Sequence, residues 1–211
     1  MSYVMNLLTP QQCEMLRDYY FDLEKQGLLE PWDSGSPYDS KQTMVFNHDE
    51  IGNQILHFLH PQMEKVFGKQ LYPPYTYGRI YRKGYRLYFH RDREACENSC
   101  TIQIASDGSK PWPIWVDQTE GLREFQLSDG QGIPYFGCEQ LHGRYEFQGE
   151  WHIQLFIHYV PVESESSTLL QRFNVMSDYK NIDFHVDDGQ LRLSWRPPKG
   201  QGENVEKLFA I

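Results

Sequence analysis

The sequence predicts a mainly β protein of the α+β class, with two helices ahead of an antiparallel sheet. Apolar residues recur at helical spacing up to Gly68, whereas short runs rich in Tyr, Ile, Phe, Trp and Val follow from Tyr75 to Val160. Pairs containing glycine interrupt these runs as turn signals, at residues 83–84, 107–108, 129–130 and 148–149. At 211 residues, 15% of them aromatic, the chain can bury a sizeable core.

The first helix is expected to begin after Thr9. This hydroxyl would cap the helix, Pro10 suits the first helical position, and Gln12 completes a capping box. The apolar stripe expected to be buried contains Leu16, Tyr19, Tyr20 and Leu23.

A second helix is expected to begin at Asn47, because Glu50 follows three residues later, and to end at Gly68. Pro61 is expected to kink or split it. Its apolar positions are Ile51, Ile55, Phe58, Leu59, Met63, Val66 and Phe67.

Charge and cysteine content limit the classes of partner. The 29 acidic and 20 basic residues give a formal charge of -9, which repels a phosphate backbone, so no nucleic-acid partner is expected. The 4 cysteines form no CxxC pair, and we expect neither a zinc knuckle nor disulfides. A reducing, cytoplasmic location is therefore expected. No apolar run is long enough to cross a membrane, and the oligomeric state is left open.

The domain is expected to cover residues 1–162, with an extension over residues 163–211. The linker between them is the polar stretch at 163–167. A hairpin packed on the same domain is expected in the extension, with strands Ile182 to Val186 and Leu191 to Trp195 around Asp188-Gly189.

A histidine and a carboxylate that could hold a metal occur two residues apart, at His90 and Asp92. On extended backbone both side chains point to one face. Two histidines and one carboxylate suit Fe(II), because they leave coordination positions free for O₂ and a chelating co-substrate. A second copy of the motif, His185 to Asp187, has no histidine after it, whereas the first is followed by His142.

The stretch around this motif resembles a known family. The segment RIYRKGY, Arg79 to Tyr85, is similar to the strand, turn and strand that enter the HxD motif of the prolyl-4-hydroxylase-like branch of the 2-oxoglutarate/Fe(II) dioxygenases. Residues 99–106 and 112–116 resemble the next two strands. The resemblance implies a double-stranded β-helix, or jelly roll, with N-terminal supporting helices. Cys100, Ile102 and Ile104 would face the pocket.

The resemblance also implies the metal ligands and the reaction. The segment Gly130 to Gly137 resembles the turn and strand that deliver the distal histidine, so His90, Asp92 and His142 would be the ligands. The expected cofactor is Fe(II), with 2-oxoglutarate as co-substrate, O₂, and ascorbate as a supporting reductant. Succinate would be the co-product, and the carboxylate of Asp92 favours hydroxylation over halogenation. No catalytic residue is expected beyond the metal site.

The resemblance to the family assigns the contacts to 2-oxoglutarate less completely than it assigns the metal ligands. Tyr81 matches the family's tyrosine that touches the co-substrate. The basic residue that usually binds the far carboxylate is missing, because Trp151 and His152 stand at its positions. The candidates for this contact are a protonated His152, Gln154, Arg144 and Arg79.

Four functions are compatible with these residues. The leading expectation is a hydroxylase that acts on an amino-acid side chain, free or in a peptide. The alternatives are a small-molecule tailoring oxygenase that uses the arginines from Arg86 to Arg93 to hold an anion, a catalytically silent jelly-roll binding module, and a zinc hydrolase. Cys96 and Cys100 are interpreted as pocket or core residues.

Overall fold

The computed structural model describes residues 2–32, 43–47 and 49–164, together with the backbone of two later strands. The helices are α1 (Pro10–Lys25) and α2 (Glu50–Phe67), and a 3-10 helix covers Glu94–Cys96. The strands are β1 (Met5–Asn6), β2 (Glu30–Trp32), β3 (Thr43–Asn47), β4 (Leu71–Arg82), β5 (Leu87–His90), β6 (Asn98–Ser106), β7 (Ile114–Gln118), β8 (Gly121–Phe125), β9 (Gln131–Tyr135), β10 (His142–Arg144), β11 (Trp151–Pro161), β12 (Ile182–Asp187) and β13 (Gln190–Trp195).

The β strands form a jelly roll, as the resemblance implied. A major sheet has the order β1-β9-β6-β11-β4-β3-β2, and a minor sheet has the order β5-β10-β7-β8. Ile114 and Val116 of the minor sheet pack against Ile133 and Tyr135 of the major sheet, so the two sheets share an interior. The site described below lies in that interior.

Helix α1 begins as the sequence predicts. The Gln12 amide donates to the Thr9 hydroxyl at 3.3 Å, and the Thr9 amide donates to the Gln12 side chain at 2.8 Å. This capping box satisfies two backbone donors at the start of the helix. Leu16 and Tyr20 are buried against the major sheet, and Tyr19 and Leu23 pack beside them.

Helix α2 departs from the prediction in two respects. Its N-cap is Asp49, which accepts from the Gly52 amide at 3.0 Å, because Asn47 is already the last residue of β3. The helix also continues through Pro61, so a split there is wrong. It ends as expected at Gly68, which adopts a left-handed conformation.

The two faces of the major sheet differ in chemistry. The outer face carries aliphatic side chains such as Ile153 and Leu155, which pack with α1 and α2 in the largest core cluster. Cys100, Ile102 and Ile104 belong to this cluster, so the expectation that they face the pocket is wrong. Because side chains alternate along a strand, the inner face instead holds buried polar groups. These are Arg79, Ser99, Thr101, Gln103, His152, Gln154 and His158.

The extension contributes an antiparallel pair. Strand β12 pairs with β13 from Ile182 opposite Trp195 to Asp187 opposite Gln190. The expected turn at residues 188–189 and most of the expected linker lie outside the described residues, and the domain boundary at residue 162 stays a prediction. The 4 cysteines are free thiols. Among the helices in the described ranges, none combines the length and apolar character needed to cross a membrane.

Candidate metal centre

Strand pairing places the two histidines side by side. His90 ends β5 and His142 begins β10, and these residues are direct partners in the antiparallel register. Their ring centroids lie 4.5 Å apart. A pairing between strands far apart in the sequence therefore brings together residues that the sequence separates.

Backbone carbonyls fix the tautomer of both rings. Nδ1 of His90 lies 2.8 Å from the Tyr88 carbonyl oxygen, and Nδ1 of His142 lies 2.9 Å from the Gln140 carbonyl oxygen. A carbonyl oxygen only accepts, so each Nδ1 carries a hydrogen, and in the neutral ring Nε2 is the nitrogen with the lone pair. This arrangement is typical of metal-binding histidines.

The carboxylate of Asp92 completes the group. Its Oδ1 lies 3.4 Å from Nε2 of His90 and 3.6 Å from Nε2 of His142, and the three ligand atoms all lie within 4.8 Å of one another. Oδ2 is buried without a hydrogen-bond partner among the described residues. Oδ1 and the two Nε2 atoms are the oxygen and nitrogen donors that Fe(II) takes, so this set of residues fits a bound cation.

The titration of the group follows from these contacts. Burial acts to raise the pKa of Asp92, but hydrogen bonds from His142 and His90, together with the positive charge of His142 and His158 when these are protonated, outweigh burial and hold that pKa well below its usual range. Burial also acts to lower the pKa of His90, while the bonds to Asp92 and to the Tyr88 carbonyl raise it above its ordinary value. The carboxylate is therefore ionised at neutral pH, as a metal ligand must be.

A glycine keeps the carboxylate in place. The Asp92 amide donates to the Gly137 carbonyl at 2.9 Å. A Cβ on Gly137 would lie 2.6 Å from Oδ2 of Asp92 and would also meet the Cys96 carbonyl oxygen. The connection between β9 and β10 can approach the site this closely only because residue 137 has no side chain.

Arg144 lies deeper in the barrel than the histidines. It is two residues after His142 on β10, so its side chain is on the same face, roughly 7 Å further along the strand. Arg144 is 1% exposed, and its guanidinium donates to the Trp112 carbonyl and to Oε1 of Gln154, the latter at 3.3 Å. It has no carboxylate partner in the described ranges, and burial lowers its pKa to about 10.

Gln154 connects Arg144 to His152. Its Oε1 lies 2.6 Å from Nε2 of His152, and its Nε2 donates to the Thr101 hydroxyl at 2.6 Å. Burial, followed by the charge of Arg144, lowers the pKa of His152 to about 3. This lowered pKa argues against the expected protonation of His152, because a second buried cation beside Arg144 would be strongly disfavoured.

Tyr81 and Arg79 lie on the opposite wall, on β4. Tyr81 is 1% exposed and packs edge-on against Trp112 at a centroid distance of 4.9 Å. Arg79 sits opposite Gln154 in the pairing with β11 and donates to the hydroxyls of Tyr77 and Tyr85. Both side chains therefore face the barrel interior.

The other arginines near the HxD motif do not form one anion-binding patch. Arg82 points to the helical side and pairs with Glu24 of α1 at 2.6 Å. Arg91 is exposed and donates to the Glu139 carbonyl at 2.9 Å, and Arg93 donates to the Tyr75 hydroxyl at 3.2 Å. Each arginine thus has its own partner.

Sequence reasoning missed His158, which lies on the inner face beside the metal group. One of its ring nitrogens, Asp92 and Cys96 form a second set of ligand atoms within 4.8 Å of one another. A signal was present, because His158 is four residues after Gln154 and so shares its face of β11. The missing information was which face of the strand points inwards.

Comparison with known proteins supports the architecture. No protein-family model matches the chain, and no curated protein matches it. A prolyl-4-hydroxylase from Pseudomonas putida superposes with a TM-score of 0.61 at 12% identity, over 76% of this chain and 92% of that one. An oxidoreductase of the 2OG-Fe(II) oxygenase family from Burkholderia pseudomallei superposes with a TM-score of 0.59 at 17% identity, over 75% of this chain and 84% of that one.

A third solved structure carries ligands. HygX from Streptomyces hygroscopicus, with nickel, 2-oxoglutarate and hygromycin B bound, superposes with a TM-score of 0.56 at 12% identity, over 77% of this chain and 83% of that one. At such identities the likeness concerns the fold. The chain has the jelly-roll fold of the 2-oxoglutarate/Fe(II) oxygenases.

Proposed function

We propose that this protein is an Fe(II)- and 2-oxoglutarate-dependent oxygenase with His90, Asp92 and His142 as its metal ligands. The observation that carries the proposal is the convergence of one carboxylate with the Nε2 atoms of two histidines, whose Nδ1 atoms face backbone carbonyls, on the inner wall of a jelly roll. Two histidines and one carboxylate on one face are the ligand set of mononuclear non-haem iron oxygenases. When bound, the iron supplies the activation of O₂ and of the 2-oxo acid.

Arg144 is the proposed anchor for the far carboxylate of 2-oxoglutarate. A buried cation with only neutral partners is costly unless an anion binds it. Its distance from His142 along β10 is comparable to the length of a five-carbon dicarboxylic acid. Gln154 would orient the guanidinium, neutral His152 would hold Gln154, and Tyr81 would border the co-substrate.

The proposed substrate is an amino-acid side chain, free or in a peptide. His90 is the open side of the metal group, with 36% of its side chain exposed against 3% for His142, so a substrate would approach from there. The likeness to a prolyl-4-hydroxylase supports a side-chain substrate. The alternative is a small-molecule oxygenase, which the likeness to an oxygenase-fold protein with hygromycin B bound supports.

The test is succinate formation by anaerobically purified protein supplied with Fe(II), 2-oxoglutarate, ascorbate and O₂. We expect succinate from the parent protein and none from His142→Ala, since the variant lacks one ligand. Peptides and free metabolites, screened for increased succinate release, would then separate the two substrate classes.

Two outcomes would overturn the proposal. Neither succinate nor 2-oxoglutarate binding in the parent would indicate a silent binding module. Hydrolytic activity restored by Zn(II) and not by Fe(II) would indicate a zinc hydrolase.

A further inference from the structure

A second group of metal-ligating side chains shares Asp92 with the first. Cys96 ends the 3-10 helix that follows the HxD motif, and His158 lies near the end of β11. One ligand atom from each of Asp92, Cys96 and His158 lies within 4.8 Å of the others. The thiol and the imidazole are both buried, at 4% and 6% exposed.

A hydrogen-bond chain fixes the tautomer of His158. The Ser99 hydroxyl donates its only hydrogen to the Cys96 carbonyl at 3.0 Å. Nδ1 of His158 lies 2.8 Å from the same hydroxyl oxygen, so Nδ1 must be the donor in that contact. Nε2 of His158 is therefore the basic nitrogen, and a donated Nδ1 hydrogen is the usual support of a metal-binding imidazole.

The two oxygens of Asp92 can serve two cations. Oδ1 is the atom nearest to His90 and His142, whereas Oδ2 is buried with no hydrogen-bond partner among the described residues. The Sγ atom of Cys96 lies 2.8 Å from the Tyr75 hydroxyl, and the guanidinium of Arg93 donates to that hydroxyl. Burial and the charge of Asp92 raise the pKa of the Cys96 thiol, and the positive charge of Arg93 acts against them. A cation bound by both Asp92 and Cys96 would remove the repulsion between the carboxylate and a thiolate.

We propose that Asp92, Cys96 and His158 form a second metal site, for a thiophilic divalent cation such as Zn²⁺, adjacent to the first and bridged to it by Asp92. Sulfur, imidazole nitrogen and carboxylate oxygen are the donors that zinc takes in tetrahedral sites, with water in the fourth position. Binding replaces the thiol proton by the cation and releases that proton to solvent. The site does not depend on the oxygenase reaction.

Cobalt(II) is the probe, because a cobalt–thiolate bond gives an intense near-ultraviolet absorption that nitrogen and oxygen ligands do not. The full-length protein is titrated with Co²⁺ under anaerobic, reducing conditions. We expect two Co²⁺ per chain, one of which produces the thiolate band. Cys96→Ser is expected to lose the band and one equivalent of Co²⁺.

Two variants provide controls. Cys100→Ser removes another fully buried thiol, one that packs in the outer core, and is expected to keep the band and both equivalents. His142→Ala removes a ligand of the first site only and is expected to keep the band.

The parent protein alone can overturn the proposal. One Co²⁺ per chain without a thiolate band would do so while leaving the first site intact. A band that persists in Cys96→Ser would also overturn it, because the thiolate would then come from another cysteine. Loss in His142→Ala of the Co²⁺ equivalent that gives no thiolate band reports on the first site. The two sites are therefore tested independently.

Discussion

At the scale of single residues, the site combines groups whose protonation is fixed by their neighbours. The carbonyls of Tyr88 and Gln140 hold Nδ1 of the two histidines, so that Nε2 of each ring faces Asp92. Burial keeps His152 neutral, while Arg144 remains charged because its pKa, though lowered, is still about 10. A buried cation whose hydrogen-bond partners are a backbone carbonyl and an amide side chain indicates an anionic ligand.

Arg144→Gln is expected to raise the KM for 2-oxoglutarate by about tenfold to a hundredfold, the range for losing a charge-assisted hydrogen bond. The measurement is succinate formation over a series of 2-oxoglutarate concentrations. Arg82→Gln is the matched control, because this arginine pairs with Glu24 on the helical side. An unchanged KM in Arg144→Gln, with a raised KM in Arg79→Gln, would assign the anchor to Arg79.

His152 is expected to make stability depend on pH. Its pKa of about 3 in the folded chain lies below the ordinary value of 6.5, so the unfolded chain binds more protons between these values. Its contribution to stability is therefore complete above about pH 6.5 and is lost as pH falls towards 3, by at most about 1.4 kcal/mol per pH unit.

Urea unfolding between pH 7 and 4 measures this dependence. His152→Gln is expected to show a shallower loss of stability than the parent. His57→Gln, at an exposed position on α2, is the control and should keep the slope of the parent. Equal slopes in all three proteins would show that His152 is not the group responsible.

At the scale of elements, pairings between distant strands assemble the site. His90 and His142 meet because β5 and β10 are neighbours, and Gln154 reaches Arg144 because β11 and β10 face each other across the barrel. The connection between β9 and β10 then closes over Asp92 through Gly137. The helices support this arrangement from the outer face of the major sheet.

Gly137→Ala is expected to weaken metal binding at least about tenfold, because the added Cβ would lie 2.6 Å from Oδ2 of Asp92 and would displace that carboxylate. Titration with Ni²⁺ measures the affinity. Gly108→Ala, at a turn with φ of 68°, is the control, since it strains the backbone away from the site. Unchanged Ni²⁺ affinity in Gly137→Ala would contradict the assigned role of this glycine.

At the scale of the whole molecule, metal and co-substrate should stabilise the folded chain together. Any ligand that binds only the folded state adds stability by mass action, about 2.7 kcal/mol at a hundredfold excess over its Kd. We expect Ni²⁺, a redox-stable substitute for Fe(II), to raise the thermal midpoint, and 2-oxoglutarate to raise it by several further degrees only when the metal is present.

Succinate is the control ligand, because it lacks the 2-oxo acid that chelates a metal. It should add less than 2-oxoglutarate. Equal stabilisation by 2-oxoglutarate with and without metal would argue against chelation at the proposed centre.

The sequence alone determined the features that depend on local chemistry. The cap of α1 at Thr9 and the end of α2 at Gly68 were predictable because capping and a left-handed glycine act within a few residues. The spacing of His90 and Asp92 put both groups on one side of an extended segment, and the resemblance supplied the jelly roll and His142. Their role as metal ligands remains a prediction.

Only the tertiary structure decided which face of each strand points into the barrel. A period of two tells which residues share a face but not whether that face points inwards, so Cys100 was assigned to the pocket and His158 was missed. The charge states of His152 and Arg144 were equally hidden, because a pKa in a buried site depends on desolvation and on neighbours from other strands. Long-range pairing creates both effects, and no local pattern in the sequence encodes it.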